Sequence, residues 1–584
     1  MVTAATRCTG VSSSRRFFRS SRVSARIEKL PTDQVVCPPF GSRSSRLKHH
    51  ASALQPKPFM SLPLRQLTAP LVLTGLMPLA AFAQDTRATL VAEVPGNAVF
   101  VVPEPDDPST LLVGEQAGLI NRVRLGQVDG TFLDLTAEVS PSALGGLLSL
   151  VFHPDYENNG WVYVMYQASG QSSRLARYTV PVPSILEADP ATELVLRDFI
   201  GPIAFHWGGA LEFGPDGKLY VGVGDPRVEL DTEGCTAQDL SRYEGKILRL
   251  EDDGSIPPDN PYVGVAGALP GIYARGLRQP FRLSFDSLTG GVFIGDVGEV
   301  DREEVNYVPP GLFEEANFEW QTLEGTLLTG STLCPTDPSQ LVGNRISPLF
   351  EYDHLLGCSV TGGLVVRDAG LPGLEGSYLF SDWCGGMTWA LDVDFATGAL
   401  IASTEIQANL DPPGPLRVDA PTSYSQASDG QIFFSDMFSL QPNVSEVFRL
   451  RTDDPLVSDR EFLSSLAGGT QHFELDAGPA MGGQLYLLVG TLSGSDPGIS
   501  VDGLNLPINF DAYTQFTLGG GAGLYTNSVG LLDADGFAEA QFTLPPGTAP
   551  QAVGSVFHHA FVTIDPLLSA VTFVSNAEVT LLRP

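Results

Sequence analysis

Six recurrences of one strand–turn–strand unit, a scarcity of 3.6-residue periodicity and a change of texture after Leu450 predict an all-β chain: a six-bladed β-propeller followed by a C-terminal β-sandwich-like domain. At 584 residues the chain exceeds one ordinary domain, and a hydrophobic content of 43% supplies cores for two. Charge is distributed unevenly. Residues 1–84 hold 12 of the 34 Lys/Arg and 2 of the 67 Asp/Glu, so the net −33 understates how acidic the rest is. Such a surface repels phosphate backbones and anionic lipid, which disfavours nucleic-acid and membrane-surface roles. It suits divalent cations and neutral ligands.

Residues 60–83 have the parts of a secretory signal: Arg65, the apolar run APLVLTGLMPLAAFA, and the small-residue ending Ala81, Phe82, Ala83. Cleavage before Gln84 follows. The run is short and broken by Pro70 and Pro78, and no later stretch reaches the length of a membrane span, so a secreted or periplasmic chain without a membrane segment is expected. Residues 1–59 are rich in Arg and Ser and lack a hydrophobic period. They read as a transit-like extension or as sequence upstream of the true start, the latter favoured because a signal peptide works from the N-terminus.

The propeller is assigned to 84–452. Its repeated unit is an apolar strand, a turn of Pro, Asp and Gly, and a second strand ending in a polar corner. The copies are VVPEPDDPSTLLVGEQ from Val101, VFHPDYENNGWVYVMY from Val151, LEFGPDGKLYVGVGD from Leu211, LSFDSLTGGVFIGD from Leu283, LVVRDAGLPGLEGSYLFSD from Leu364 and SQASDGQIFFSD from Ser425. Their spacing of about fifty to eighty residues accommodates one four-stranded blade with loop insertions.

The third copy carries the chemistry. In HWGGALEFGPDGKLYVGVGD, two alternating strands joined by a Pro-Asp-Gly turn bring His206 and Asp225 to the same end of a hairpin. An aspartate behind a histidine fixes the tautomer and raises basicity, as a general base requires. The alternative is that both residues cap loops.

Outside the leader stand four cysteines, Cys235, Cys334, Cys358 and Cys384, with no C-x-x-C spacing. An even number in an exported chain favours disulfides over metal thiolates. Cys358 and Cys384 flank the inner strand of one blade and form the favoured pair, which leaves Cys235 for Cys334. Three connectivities are compatible with the sequence.

RTDDPLVSDREF is polar and reads as a linker over 453–463. From 464 to 584 Lys/Arg are few, and alternating strands such as HFELDAG, QLYLLVGTL, AEAQFTL and HHAFVTID predict the sandwich. His558 and His559 are adjacent on one strand, so one packs inward and the other meets solvent.

Five ordered blocks add a resemblance: GGLLSLVFHPDYENNGWVYV, HWGGALEFGPDGKLYVGVGD, GKILRLEDDGSIPPDNPY, ARGLRQPFRLSFDSLTGGVFIGDVGE, and CSVTGGLVV with GSYLFSDWCGG. Over residues 89–450 the chain resembles the glucose/sorbosone dehydrogenase family of six-bladed propellers, which includes soluble quinoprotein sugar dehydrogenases and Hedgehog-interacting-protein-like proteins. The resemblance implies pyrroloquinoline quinone (PQQ) and calcium as cofactors and a small neutral sugar, an aldose, oxidised at its anomeric carbon. It makes His206 the base, Asp225 its orienting partner, and Arg278 and Gln279 cofactor contacts, Gln279 standing where the family often has Asn. It assigns calcium to backbone oxygens of Gly298 and Glu299 and places Glu303 and Glu304 near a second calcium; by themselves these two also read as a solvated acidic turn.

The chain departs from the quinoprotein pattern at three places. Leu144 stands where a glutamine precedes the GLL block, Cys384 replaces a lysine, and the paired arginines of the last blade reduce to Arg417. SDWCGG and GDVGE match the Hedgehog-interacting-like branch instead. The competing expectation is therefore a non-catalytic propeller that binds carbohydrate or protein, with the C-terminal domain serving an extracellular protein or glycan partner.

Overall fold

The computed structural model describes residues 86–140, 145–168, 172–181, 186–200, 206–225, 234–368, 370–548 and 550–584. The basic extension, the signal and its cleavage point, and Leu144 lie outside the described residues. Strand dominates, and among the described residues no helix is long and apolar enough to cross a membrane.

Each of the six repeated units forms the first two strands of a sheet; five of these sheets are antiparallel and four-stranded, and the third extends its four antiparallel strands by two short parallel ones, Ala316–Asn317 and Asn344–Arg345. The six hairpins are Ala98–Pro103 with Thr110–Glu115, Leu147–Phe152 with Trp161–Ala168, Leu211–Phe213 with Leu219–Val223, Pro280–Phe285 with Val292–Asp296, Val360–Val365 with Tyr378–Asp382, and Pro421–Gln426 with Ile432–Asp436. The first strands of successive sheets are neighbours, and the sixth returns to the first. There Thr422 Oγ1 donates to the Ala98 carbonyl at 3.1 Å and Val101 N donates to Ser423 Oγ at 3.0 Å.

Buried side chains collect between consecutive sheets. Tyr163 and Met165 of the second sheet meet Leu219 and Val221 of the third. Phe293 of the fourth stacks on Tyr378 of the fifth with ring centroids 4.1 Å apart. Each sheet is therefore covered on both faces, and its strands need apolar residues on both, as the fully buried LYVGV and VFIGD strands show. The ring is closed by Thr86–Pro95, which pairs with Val444–Thr452 as the fourth strand of the sixth sheet.

The C-terminal part is two sheets face to face. One contains Leu456–Ser458, Gly469–Asp476, Phe537–Leu544 and Tyr525–Thr526; the other is built on Leu485–Thr491, Val556–Asp565 and Glu578–Arg583. Phe473, Leu475 and Phe542 from one face pack with Leu488, Phe561 and Leu582 from the other. His559 is fully buried and bonds Tyr525 through Nε2 at 2.7 Å, while His558 is half-buried.

The stretch 453–463, expected as a linker, carries the buried strand Leu456–Ser458 and runs into Phe462–Ser464, because its two adjacent apolar pairs, Leu456–Val457 and Phe462–Leu463, are buried. It also lies along the closing strand: Leu90 N donates to the Asp459 carbonyl at 3.0 Å and Glu461 N to the Leu90 carbonyl at 3.1 Å. An edge that would otherwise present unpaired backbone groups is thus occupied.

Candidate functional site

In an antiparallel meander, the chain entering each first strand and the turn after each second strand lie on one rim. His206, Arg278, Cys358 and Arg417 occupy entering segments, whereas Asp225, Gly298, Glu299 and Cys384 follow second strands. The fold gathers these sequence positions on a single rim of the ring.

His206 has φ of 55° and is followed by Gly208 and Gly209, both left-handed. A Cβ at Gly208 would collide with the Gly222 carbonyl oxygen, so glycine is required where this corner crosses the neighbouring strand. Gln279 pins the corner: its Oε1 accepts from Gly208 N and its Nε2 donates to the Gly208 carbonyl, both at 2.9 Å. Both ends of the Gln279 amide, expected to contact the cofactor, bond backbone here.

His206 and Asp225 do meet, but through the aspartate's main chain. Nδ1 lies 3.0 Å from the Asp225 carbonyl oxygen, and Nε2 lies 3.2 Å from Arg278 Nη2. A guanidinium only donates, so Nε2 is the acceptor and Nδ1 carries the proton given to the carbonyl. The Asp225 carboxylate instead accepts from Thr236 Oγ1 at 3.0 and 3.1 Å and from Trp320 Nε1 at 3.3 Å. The hairpin brings the two residues together, and it is the main-chain carbonyl of Asp225 that faces the ring.

Arg278 is buried. Its backbone N is held by the Asp296 carboxylate at 2.9 and 3.1 Å, and Nη1 donates to the Val297 carbonyl at 2.9 Å. Among the described residues its buried Nε has no hydrogen-bond partner. Arg417 is elsewhere on the rim: half-exposed, it faces Asp411 at 3.5 Å and donates to the carbonyls of Gly414 and Leu416.

The DVGE corner, whose Gly298 and Glu299 oxygens were expected to face calcium, turns a run of backbone N–H groups onto one carboxylate. The backbone N–H groups of Glu299, Val300, Asp301 and Arg302 converge on Glu324 Oε1 at 2.6 to 3.1 Å, an anion-holding nest filled by the chain's own carboxylate. Gly298 N donates to Glu303 Oε2 at 3.2 Å. Glu303 also receives Val360 N at 3.0 Å and pairs with His354 Nε2 at 2.9 Å; that ion pair raises the histidine's pKa. Glu304 accepts from Gly325 N and from Asn306 Nδ2, and burial together with Asp296 across the sheet pushes its carboxyl well above the usual range. Glu303 and Glu304, expected near a calcium, are buried here among N–H donors and not in a solvated turn. Among the described residues no three His, Cys, Asp or Glu form a metal cluster.

Cys235 pairs with Cys334 and Cys358 with Cys384, with Cα–Cα distances of 5.0 and 5.6 Å. A cleft of about 280 Å³ opens at His206, edged also by Trp207, Phe199, Tyr243, Arg242 and Glu244. Sequence reasoning missed Thr236, Trp320 and Glu324. Thr236 opens a three-residue 3-10 helix, Trp320 lies in an irregular segment and Glu324 ends a two-residue strand, elements too short to show alternation, and only the adjacent Cys235 marks the neighbourhood of Thr236.

The family model for glucose/sorbosone dehydrogenase matches residues 98–395, about half of the chain. The chain belongs to this family. It is 29% identical over 367 residues to the HIPL2 protein of Arabidopsis thaliana, covering 50% of this chain and 52% of the relative. It is 28% identical over 202 residues to quinoprotein glucose dehydrogenase B of Acinetobacter calcoaceticus, covering 31% and 40%. The chain thus spans about half the length of the curated relatives it matches. A crystal structure of the soluble aldose sugar dehydrogenase of Escherichia coli in the apo-form superposes with a TM-score of 0.50 at 18% identity, covering 62% of this chain and 99% of that one, which shows a shared fold. For a glucose/sorbosone dehydrogenase with an anionic quinone, the orphaned Nε of Arg278 is a fitting donor. The acidic pair offers no matching place for calcium.

Proposed function

We propose that the protein is an exported, quinone-dependent dehydrogenase that oxidises a neutral aldose at its anomeric carbon. The carrying observation is the His206 ring, held by its Nδ1 proton on the Asp225 carbonyl, with its Nε2 lone pair turned to Arg278 beside an aromatic-edged cleft. We read the six sheets as blades of a propeller, with the site on one rim of its channel. The two disulfides agree with an oxidising, secreted or periplasmic location.

In this reading Nε2 takes the proton of the anomeric hydroxyl once that hydroxyl displaces Arg278 Nη2. The Asp225 carbonyl keeps the ring in the tautomer that leaves Nε2 basic and disperses the positive charge it acquires. Phe199, Trp207 and Tyr243 offer apolar ring faces against which a pyranose lies. Arg278, freed from the imidazole, directs its N–H groups at developing negative charge. PQQ, when bound, supplies the hydride acceptor.

A second reading, a non-catalytic binder of carbohydrate or protein, is favoured by the placement of two residues. Arg417 is spent on its own loop and Cys384 on a disulfide, so neither adds a cation beside Arg278. Titration of the purified protein with PQQ, with and without calcium, followed by dye reduction with a panel of aldoses, separates the two. Quinone uptake with aldose-dependent turnover supports the dehydrogenase. Failure to take up PQQ at millimolar calcium would leave the binder.

A further inference from the structure

We propose that Trp320 and Thr236, on two loops joined by the Cys235–Cys334 disulfide, are positioning residues for His206 and act on it through Asp225. The kinetic part of this inference rests on the dehydrogenase reading; the geometric part does not.

Asp225 touches the imidazole with its carbonyl and is anchored by its carboxylate. Asp225 is 2% exposed; its carboxylate takes the Thr236 hydroxyl and the Trp320 indole N–H, and its backbone N donates to the Arg278 carbonyl at 2.6 Å, so Thr236 and Trp320 help to set the position of the Asp225 carbonyl. Trp320 has a second task. Its ring lies 5.8 Å from the Arg278 guanidinium carbon, within reach of a cation–π contact, and Arg278 is the partner of the other imidazole nitrogen. One indole therefore supports both groups that hold the two ring nitrogens of His206.

The two loops are tied at several points. Cys235, next to Thr236, is bonded to Cys334 at the far end of the loop that carries Trp320. Gln238 Nε2 donates to the Trp320 carbonyl at 2.7 Å, and its amide pairs with Asn317 at 2.8 and 2.9 Å. The fully buried Lys246 donates through Nζ to the Thr236 carbonyl at 2.8 Å. A bridge between the donor loops thus fixes the distance between the two donors that the Asp225 carboxylate needs.

The experiment uses the full exported chain as parent, Trp320→Phe, Thr236→Val and Thr236→Ser, with ¹⁵N-labelled histidine observed by NMR and kinetics run on the quinone-loaded protein. Trp320→Phe keeps the ring and removes the N–H; Thr236→Ser keeps the hydroxyl. In the parent, His206 shows a protonated Nδ1 and an acceptor Nε2. Trp320→Phe and Thr236→Val should move both resonances toward tautomer exchange, displace the acid limb of the pH profile of kcat/KM, and lower kcat by up to about 100-fold with KM for the sugar little changed. Thr236→Ser should restore the parent. If Trp320→Phe, shown folded by near-ultraviolet circular dichroism, keeps the parental ring resonances and pH profile, the positioning role is wrong. Altered resonances in a protein that turns over no aldose would uphold the positioning role and remove the dehydrogenase reading instead.

Discussion

At His206 the two ring nitrogens have different duties, and substitution separates them from the duties of their partners. His206→Ala removes the proton acceptor while leaving Arg278 in place, so turnover should fall by about 10²- to 10⁴-fold with quinone binding retained. Arg278→Ala should lose both, because a guanidinium beside an anionic cofactor acts before and during the reaction. Parallel quinone titrations and initial rates for the two variants check this; equal quinone loss in both would contradict it. The residue types were legible in the sequence, since a histidine and an aspartate at the ends of one hairpin must share a rim. The use of the Asp225 main chain was not, because nothing in a hairpin pattern fixes which way a side chain turns when Thr236 and Trp320 come from elsewhere in the chain.

Two elements store charge in ways that solution measurements can read. In the sixth sheet Asp436 lies opposite Glu446, both buried. Desolvation first and their mutual repulsion second push Glu446 to about 8; desolvation pushes Asp436 to about 7. Unfolded carboxyls ionise near pH 4, so the folded protein holds the extra protons. The stability these groups contribute is fully present below pH 4 and is lost as pH rises through about 7 to 8. Thermal midpoints should therefore decline from pH 6 to 9 more steeply in the parent than in Glu446→Gln; identical slopes would refute the pairing. In the DVGE corner, Glu324→Ala leaves four N–H groups without their acceptor, at about 1 to 3 kcal/mol for each that water does not reach. A drop of several degrees in midpoint is expected, and an unchanged midpoint would mean that water already serves the nest. The corner itself was legible as a turn, but its polarity was not, because the partner Glu324 is more than twenty residues away in a stretch without periodicity.

Across the whole molecule, the repeated hairpins were visible because each sheet is sandwiched between two others and must write its apolar strands into the sequence. The strands within 453–463 were not legible for a complementary reason: Leu456, Val457 and Phe462 are too few among polar neighbours to signal strands, yet all three are buried. The sandwich covers the outer edge of the closing strand and contributes Glu578, whose carboxylate pairs with Arg451 of the sixth sheet. A chain ending at residue 453 should consequently expose that edge and self-associate, seen as higher-mass species in light scattering; a monomeric, fully stable truncation would show the sandwich to be a detachable module. The decisive measurement is the comparison of kcat/KM for an aldose carrying deuterium at its anomeric carbon with that for the unlabelled sugar, on quinone-loaded protein. A normal primary isotope effect in the parent, with the rate largely lost in His206→Ala, is the predicted result. Quinone-loaded protein that oxidises neither sugar, or a His206→Ala variant as fast as the parent, would contradict it.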